Sequence, residues 1–342
     1  MVRVSEVVDL LFVGAGPCGL AAAIAAQRAG LRARVLDAGS LVSTITQYPY
    51  YVSFFSTAEK LSLGGVPFVV ATDKPSRRDG LAYYRAVTKH FALDVRQYER
   101  VTTIDRRGDE FDVHSVSLEG EPSTTRARAV CVATGYFGSP NRLGVEGETS
   151  VHVQHVYREG HAAYDQDVVV VGGGNSAAEA ALDLWRAGAR VTLVHFGPTF
   201  DKKIKPWVLP DLQNRMNEGA IGVRWNSRVT AIGPGQLTIR GEQSDERLPA
   251  RFVFVMTGFA PNTALLCEAG VPIDPVTGVP HHDPDTLETN VPGLFIAGVV
   301  VAGFDANKVF IENGRFHGDR IVARVLGRPV PAPPRLSAEL DT

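Results

Sequence analysis

The 342-residue chain is poor in cysteine, with Cys18, Cys131 and Cys267 far apart. That excludes a disulfide-stapled secreted scaffold, a four-cysteine zinc site and any CxxC redox pair. Positive charge is not in surplus, since 35 Lys and Arg stand against 37 Asp and Glu. Nothing therefore marks an electrostatic footprint for nucleic acid. Membrane-length apolar runs are missing as well. Leu10–Ala26 is too short for a spanning helix, and Gly14-Ala15-Gly16-Pro17-Cys18-Gly19 interrupts it. Glu6 and Asp9 precede it, where a secretion signal carries positive charge. Gly293–Phe304 is shorter still. A soluble, cytoplasmic protein without nucleic-acid or membrane partners is expected. His152/His155 and His281/His282 lack a third ligand at metal-site spacing, so no metal is expected. Neither a GxSxG elbow nor an HExxH pattern occurs. If such a chain moves electrons, it needs a borrowed cofactor.

What it has is glycine, 34 residues in all, and an internal repeat. Asp9–Ser40 and Asp167–Pro198 read alike at an offset of 158 residues. Each runs from an apolar strand through a Gly-rich turn to an Ala-rich helix. The helix closes on Ala-Gly (Ala29-Gly30, Ala187-Gly188) before a second β-branched strand. This is the βαβ unit of a parallel sheet, present twice, and the length suits two domains. An α/β chain with two Rossmann-like dinucleotide-binding domains follows.

In the first turn Gly14 permits the tight bend, Gly16 lets the backbone approach a pyrophosphate, and Gly19 lets helix and strand pack. The helix N-terminus then offers free N–H groups to the anion. The second turn has Gly172, Gly173 and Gly174, with Ala177 as a permitted third position. Asp37 lies 23 residues after Gly14, where a carboxylate binds ribose hydroxyls. The same offset in the second copy lands on His195, so no carboxylate repels a 2′-phosphate there. Lys202, Lys203 and Lys205 follow and offer positive charge, or else form a solvated loop. No Arg follows the strand directly to clamp a phosphate. NADPH is favoured over NADH at this second site.

The segments Val130–Gly135 (VCVATG) and Phe252–Gly258 (FVFVMTG) read as strands ending at chain crossings, which makes the second domain an insertion within the first. Gly293–Gly298 is another buried strand. A helix beginning within Phe304–Gly318, capped by Asp305 or Asn307, is expected after it. The tail Pro329–Pro334 carries no packing signal.

Two dinucleotide folds, the second inserted, resemble the low-molecular-weight thioredoxin reductases. Those carry CxxC, which this chain lacks, so relay of electrons to a protein disulfide is excluded. GAGPCG (Gly14–Gly19), Tyr48-Pro49, Phe54–Leu61 (FFSTAEKL), Ile204-Lys205-Pro206-Trp207 and Ile311–Gly318 (IENGRFHG) are similar to the bacillithiol disulfide reductase (YpdA) family. The resemblance implies an FAD domain over 1–139 and 258–342, an NADPH domain over 140–257, and reduction of a small-molecule disulfide. It implies FAD binding by Gly14, Gly16, Pro17, Cys18, Gly19 and Asp37, together with Gln47, Thr134, Gly135, Gly298 and Ile311. A helix N-terminus after Gly303 would stabilise negative charge on the reduced flavin ring. It implies NADPH binding by Gly172, Gly174, Asn175, Ser176 and His195, with Lys202, Lys203 and Lys205. Glu179 either helps position the nicotinamide or is a plain helix-start acid. A homodimer or homotetramer is expected from this architecture. Val299 follows Gly298 where related flavoenzymes often place an Asp, leaving backbone groups to contact the cofactor.

Cys18, beside a helix start, is expected to have a lowered pKa, although a nearby pyrophosphate opposes thiolate formation. It is either a redox cysteine forming a mixed disulfide with bacillithiol, or a small residue the turn requires, as Ser176 in the second copy suggests. Cys131, mid-strand, is expected buried and inert. Cys267 is expected to be a packing residue. Two rival functions remain: a ferredoxin–NADP reductase, and a non-enzymatic sensor that binds both dinucleotides.

Overall fold

In the computed structural model, which describes residues 7–201 and 204–332, the strand Val8–Val13 is almost wholly buried. Its run of apolar residues suits a central strand of a parallel sheet covered on both faces. Ala33–Leu36 flanks it on one side and Pro122–Val132 on the other, both parallel, with Leu10 opposite Ala33 and Ala129. The sheet continues outward from Ala33–Leu36 to Val95–Arg96. Pro122–Val132 serves two roles along its length. Its first half pairs antiparallel with Glu110–Ser117, and its second half lies parallel between Val8–Val13 and Leu294–Ile296.

The helix Pro17–Arg28 starts on Pro17, whose missing N–H costs nothing at a helix start, with Gly16 as N-cap. Its small residues are nearly all buried because another helix, His317–Val325, crosses close by. A Cβ on Gly318 would sit 2.4 Å from the Cα of Ala22, so glycine is what lets the two backbones approach. Leu20 and Ile24 anchor the same helix, each fully buried large side chain contributing about 1.5–3 kcal/mol.

The second half of the repeat folds in the same way. Asp167–Val171, helix Asn175–Arg186 and Arg190–Val194 form its βαβ unit. Both helices end on alanine followed by glycine at positive φ, Gly30 at 79° and Gly188 at 88°. The parallel sheet runs Ile221–Arg224, Arg190–Val194, Asp167–Val171, Phe252–Val255, Val153–Gln154. A three-stranded antiparallel sheet, Arg228–Gly233, Gln236–Arg240 and Asp245–Pro249, adjoins it.

The chain divides into two compact units. One comprises 1–46, 53–139 and 260–342, and the other 47–52 and 140–259. The short segment Gln47–Val52 thus groups with the second unit, held in part by the Tyr50 N–H donating to Arg158 O at 3.1 Å.

Phe304–Gly318 begins a helical turn capped at Asp305, as expected, but the turn does not run on as one helix. Asp305 caps only the short turn Ala306–Lys308, and Val309 is extended at φ −131°. Asn313 then holds the break open, accepting from Phe310 N at 2.7 Å and donating to Lys308 O at 2.9 Å. Helix resumes as Ile311–Gly314 and again as His317–Val325. No helix among the described residues is long and apolar enough to cross a membrane. Part of the Pro-rich tail, Pro333 and Pro334, lies outside the described residues.

Candidate active site

The first Gly-rich turn is built by steric necessity. Gly14 has φ 116°, and a Cβ there would lie 2.4 Å from Ala133 O. A Cβ on Gly19 would lie 2.1 Å from Gly14 O. Gly16, by contrast, faces open space, with nothing within 4 Å of an added Cβ. That clear side, beside the unpaired N–H groups of the helix start, is where an anion would rest.

Asp37 closes the turn from beneath. Its Oδ2 accepts from Ala15 N at 2.6 Å and its Oδ1 from Gly39 N at 2.7 Å. A carboxylate has about four lone-pair positions, so acceptor capacity remains for a ribose hydroxyl. Thr134 is exposed beyond the end of the strand at Val132, and Gly135 follows at φ 79°. Ile311 opens the short helix after the Asn313 break. Gln47 belongs to the second unit, apart from the other residues assigned to the first site.

Cys18 is walled by glycines. A Cβ on Gly314 would stand 2.7 Å from its Sγ, and one on Gly298 would stand 3.4 Å away. The expected lowering of its pKa is corrected by the structure: burial pushes the thiol up to about 12. Desolvation is the cause: the half-buried sulfur has lost much of the water that would stabilise a thiolate. Cys131 is buried in its strand, and burial raises its thiol too. Cys267 is exposed rather than a packing residue. Its short helix, Ala264–Glu268, turns Leu266 inward instead.

Two residues that pattern reading missed support this turn. His317 is buried, and its Nδ1 accepts from Gly298 N at 3.1 Å, so Nε2 carries the proton. Burial, with Arg320 and His282 adding to it, holds that imidazole down at about 4. Arg315 donates to Glu59 O at 2.8 Å and to Ser62 O at 2.6 Å. It thereby ties IENGRFHG to FFSTAEKL, two segments 250 residues apart in sequence that are neighbours in space.

The second turn repeats the backbone and changes the chemistry. Gly172 has φ 147°, and a Cβ there would lie 2.3 Å from Met256 O. Gly174 is the N-cap, Asn175 and Ser176 open the helix, and Ser176 is exposed. His195 lies under the turn: a Cβ on Gly173 would come within 2.2 Å of its ring. Its Nδ1 is buried without a hydrogen-bond partner, and burial lowers its pKa. Lys205 Nζ donates to Glu179 Oε1 at 2.5 Å, and the Lys205 N–H donates to Asn175 Oδ1 at 3.3 Å. The positive charge expected from Lys205 is therefore committed to Glu179. Lys202 and Lys203 lie outside the described residues.

The histidine pairs do not converge on a metal-like cluster. His155 faces Arg142 at 2.9 Å and Glu148 at 3.5 Å, while His282 Nδ1 pairs with Pro280 O at 2.6 Å. Among the described residues no group of three or more His, Cys, Asp or Glu is placed to hold a metal ion.

Residues 11–298 match the family model described as pyridine nucleotide-disulphide oxidoreductase. The chain is 41% identical over 320 residues to bacilliredoxin reductase Bdr of Bacillus subtilis, covering 93% of this chain and 97% of that one. Among solved structures it is similar to the bacillithiol disulfide reductase Bdr (YpdA) of Bacillus cereus, with TM-score 0.92 and 40% identity over 95% of this chain and 100% of that one. The Staphylococcus aureus counterpart gives TM-score 0.88 and 38% identity over 94% and 99%. Two Gly-rich strand–turn–helix units on two parallel sheets, together with this likeness along nearly the whole length, make the chain an oxidoreductase that belongs to the pyridine nucleotide-disulphide oxidoreductase family and, within it, to the Bdr (YpdA) family.

Proposed function

We propose that the protein reduces the disulfide of a low-molecular-weight thiol, bacillithiol disulfide, at the expense of NADPH and with FAD as its resident cofactor. The observation that carries this reading is Cys18, set in the first phosphate-binding turn with glycine on either side of its sulfur.

The residues fit a flavin dinucleotide on steric grounds. The space in front of Gly16 is clear, and the turn around it admits no side chain at Gly14 or Gly19. The pyrophosphate would rest on the start of helix Pro17–Arg28, with Asp37 below it and Gly298 and Ile311 beyond. Bound there, FAD supplies two-electron exchange between a nicotinamide and an acceptor. The turn Gly172–Ser176 would hold the nicotinamide dinucleotide, with His195 beneath and no acid at the end of the strand.

Cys18 acts as the nucleophile. Its sulfur attacks one sulfur of the small disulfide, forming a mixed disulfide and releasing one thiolate. Two electrons and a proton then restore the Cys18 thiol and release the second thiolate. The raised pKa makes deprotonation the demanding part of this sequence, so exchange quickens as pH rises. No second cysteine in a CxxC pair is available to hand electrons to a protein disulfide.

NADPH oxidation by the FAD-loaded protein tests this, with bacillithiol disulfide in one series and ferredoxin in the other. Turnover with the disulfide is expected. Turnover with ferredoxin alone would give the activity to the rival electron-transfer reading, and no turnover with either would favour the sensor.

A further inference from the structure

The arginine that the sequence does not place after the second strand arrives from elsewhere in the fold. The loop Trp225–Ser227, which leads into the strand opened by Arg228, lies alongside the end of Arg190–Val194. Two backbone bonds hold it there, Ser227 N donating to His195 O at 3.0 Å and Asn226 N donating to Gly197 O at 3.1 Å. Edge-on contacts of Trp225 with His195 and with Phe200 brace the same loop. This brings the Arg228 guanidinium over the ring of Phe196, 4.8 Å from its centroid.

Three arginines stand near one another in this sequence, and they are used differently. Arg224 makes a two-pronged pair with Glu246, and Arg240 one with Asp245. Arg228 is exposed and has no carboxylate within ion-pair distance among the described residues. A cation–π contact with the ring is compatible with guanidinium N–H groups forming a fork with a phosphate. The location is also the right one. In a βαβ nucleotide site the end of the second strand meets the adenosine ribose, and residue 195 holds that position here. Its occupant is a buried histidine with an unpartnered Nδ1, and the adjacent residue is Phe196.

We infer that Arg228, held on Phe196, grips the 2′-phosphate of the adenosine ribose and makes the second unit selective for NADPH over NADH. This rests on the reading of that unit as a nicotinamide-dinucleotide site. It gives the task to an arginine 33 residues beyond His195, and relieves Lys205, which is engaged by Glu179. One acid, Asp201, lies beside the Gly-rich turn itself. Its N–H donates to Gly173 O at 3.1 Å, and its Oδ2 would be 3.3 Å from a Cβ on Gly174.

Adenosine 2′,5′-bisphosphate and 5′-AMP isolate the question, because they differ only in the 2′-phosphate. Calorimetric titration of the FAD-loaded full chain with each gives a preference ratio. The wild type is expected to favour the bisphosphate by on the order of ten- to a hundredfold, the worth of charged hydrogen bonds. Arg228→Gln is expected to bring the ratio close to one, and Arg228→Lys to keep part of it; binding of 5′-AMP to both variants reports an intact fold. A wild-type ratio surviving in Arg228→Gln overturns the assignment and leaves the NADPH reading standing. A wild type that binds both alike, or prefers 5′-AMP, overturns the assignment and the NADPH reading together.

Discussion

The two Gly-rich turns share a backbone and differ in what lies beneath it. Under the first, Asp37 reaches up and accepts the Ala15 N–H, and the helix packs so closely that a Cβ on Gly19 would strike Gly14 O. Under the second, His195 fills the space, and Ala177 stands where the first turn has Gly19. A tight turn over an acid suits a cofactor kept in place. A turn backed by imidazole, without an acid at the strand end, suits a phosphorylated nucleotide that comes and goes. The likeness is in the main chain, and the division of labour is in a few side chains.

Exchanging the third position of each turn should break the symmetry most sharply. Gly19→Ala forces a Cβ into Gly14 O and should cost about 3 kcal/mol of stability, with loss of flavin absorbance. Ala177→Gly, the mirror change, should cost only about 1 kcal/mol and leave flavin bound. Thermal unfolding and the visible spectrum of each variant read both outcomes.

Acid should separate the two histidines next. His317 is neutral and buried, its folded pKa of about 4 lying below the ordinary histidine value. A depressed pKa contributes stability that is present above the unfolded value and is lost as pH falls through the folded one. Stability should therefore decline by up to about 3 kcal/mol between roughly pH 6.5 and 4. His317→Asn, which keeps an acceptor for Gly298 N, should flatten that decline in urea unfolding. His195→Asn should flatten it less. An equal effect from both would show that the two sites are backed alike.

Gly173→Ala should weaken NADPH binding by about tenfold, because its Cβ would strike the His195 ring. Flavin content should not change. Fluorescence titration of the holoprotein measures the first, and absorbance the second. The smallest effect is expected at Cys267→Ser, within about 0.5 kcal/mol, since the side chain is exposed. Unfolding midpoints would reveal a hidden packing role if the cost were larger.

Much of the fold was legible because the repeat states its own geometry. Glycine requirements at residues 14, 19 and 172 are steric, and Ala-Gly at both helix ends marks the positive φ that follows. The helix break at Val309–Phe310 was not legible, because it depends on Asn313 bonding the backbone on both sides of it. Cys18 misled for a related reason: the helix terminus is visible in sequence, whereas the desolvation of its sulfur is not, and the glycines packed beside that sulfur, Gly298 and Gly314, lie far along the chain. His317, Arg315 and Arg228 escaped pattern reading because each acts on a partner distant in sequence. A useful signal was available in IENGRFHG, where Gly314 and Gly318 lie four residues apart and come up against Cys18 and Ala22 respectively.

If Cys18 is the nucleophile, it exchanges with the small disulfide. Peptide mass spectrometry of the FAD-loaded protein after incubation with bacillithiol disulfide tests it most directly. One bacillithiol on the Cys18 peptide, none on the Cys131 peptide, and its removal by NADPH are the predicted results. NADPH oxidation that continues undiminished in Cys18→Ala, with no bacillithiol found on Cys18 in the wild type, would contradict it.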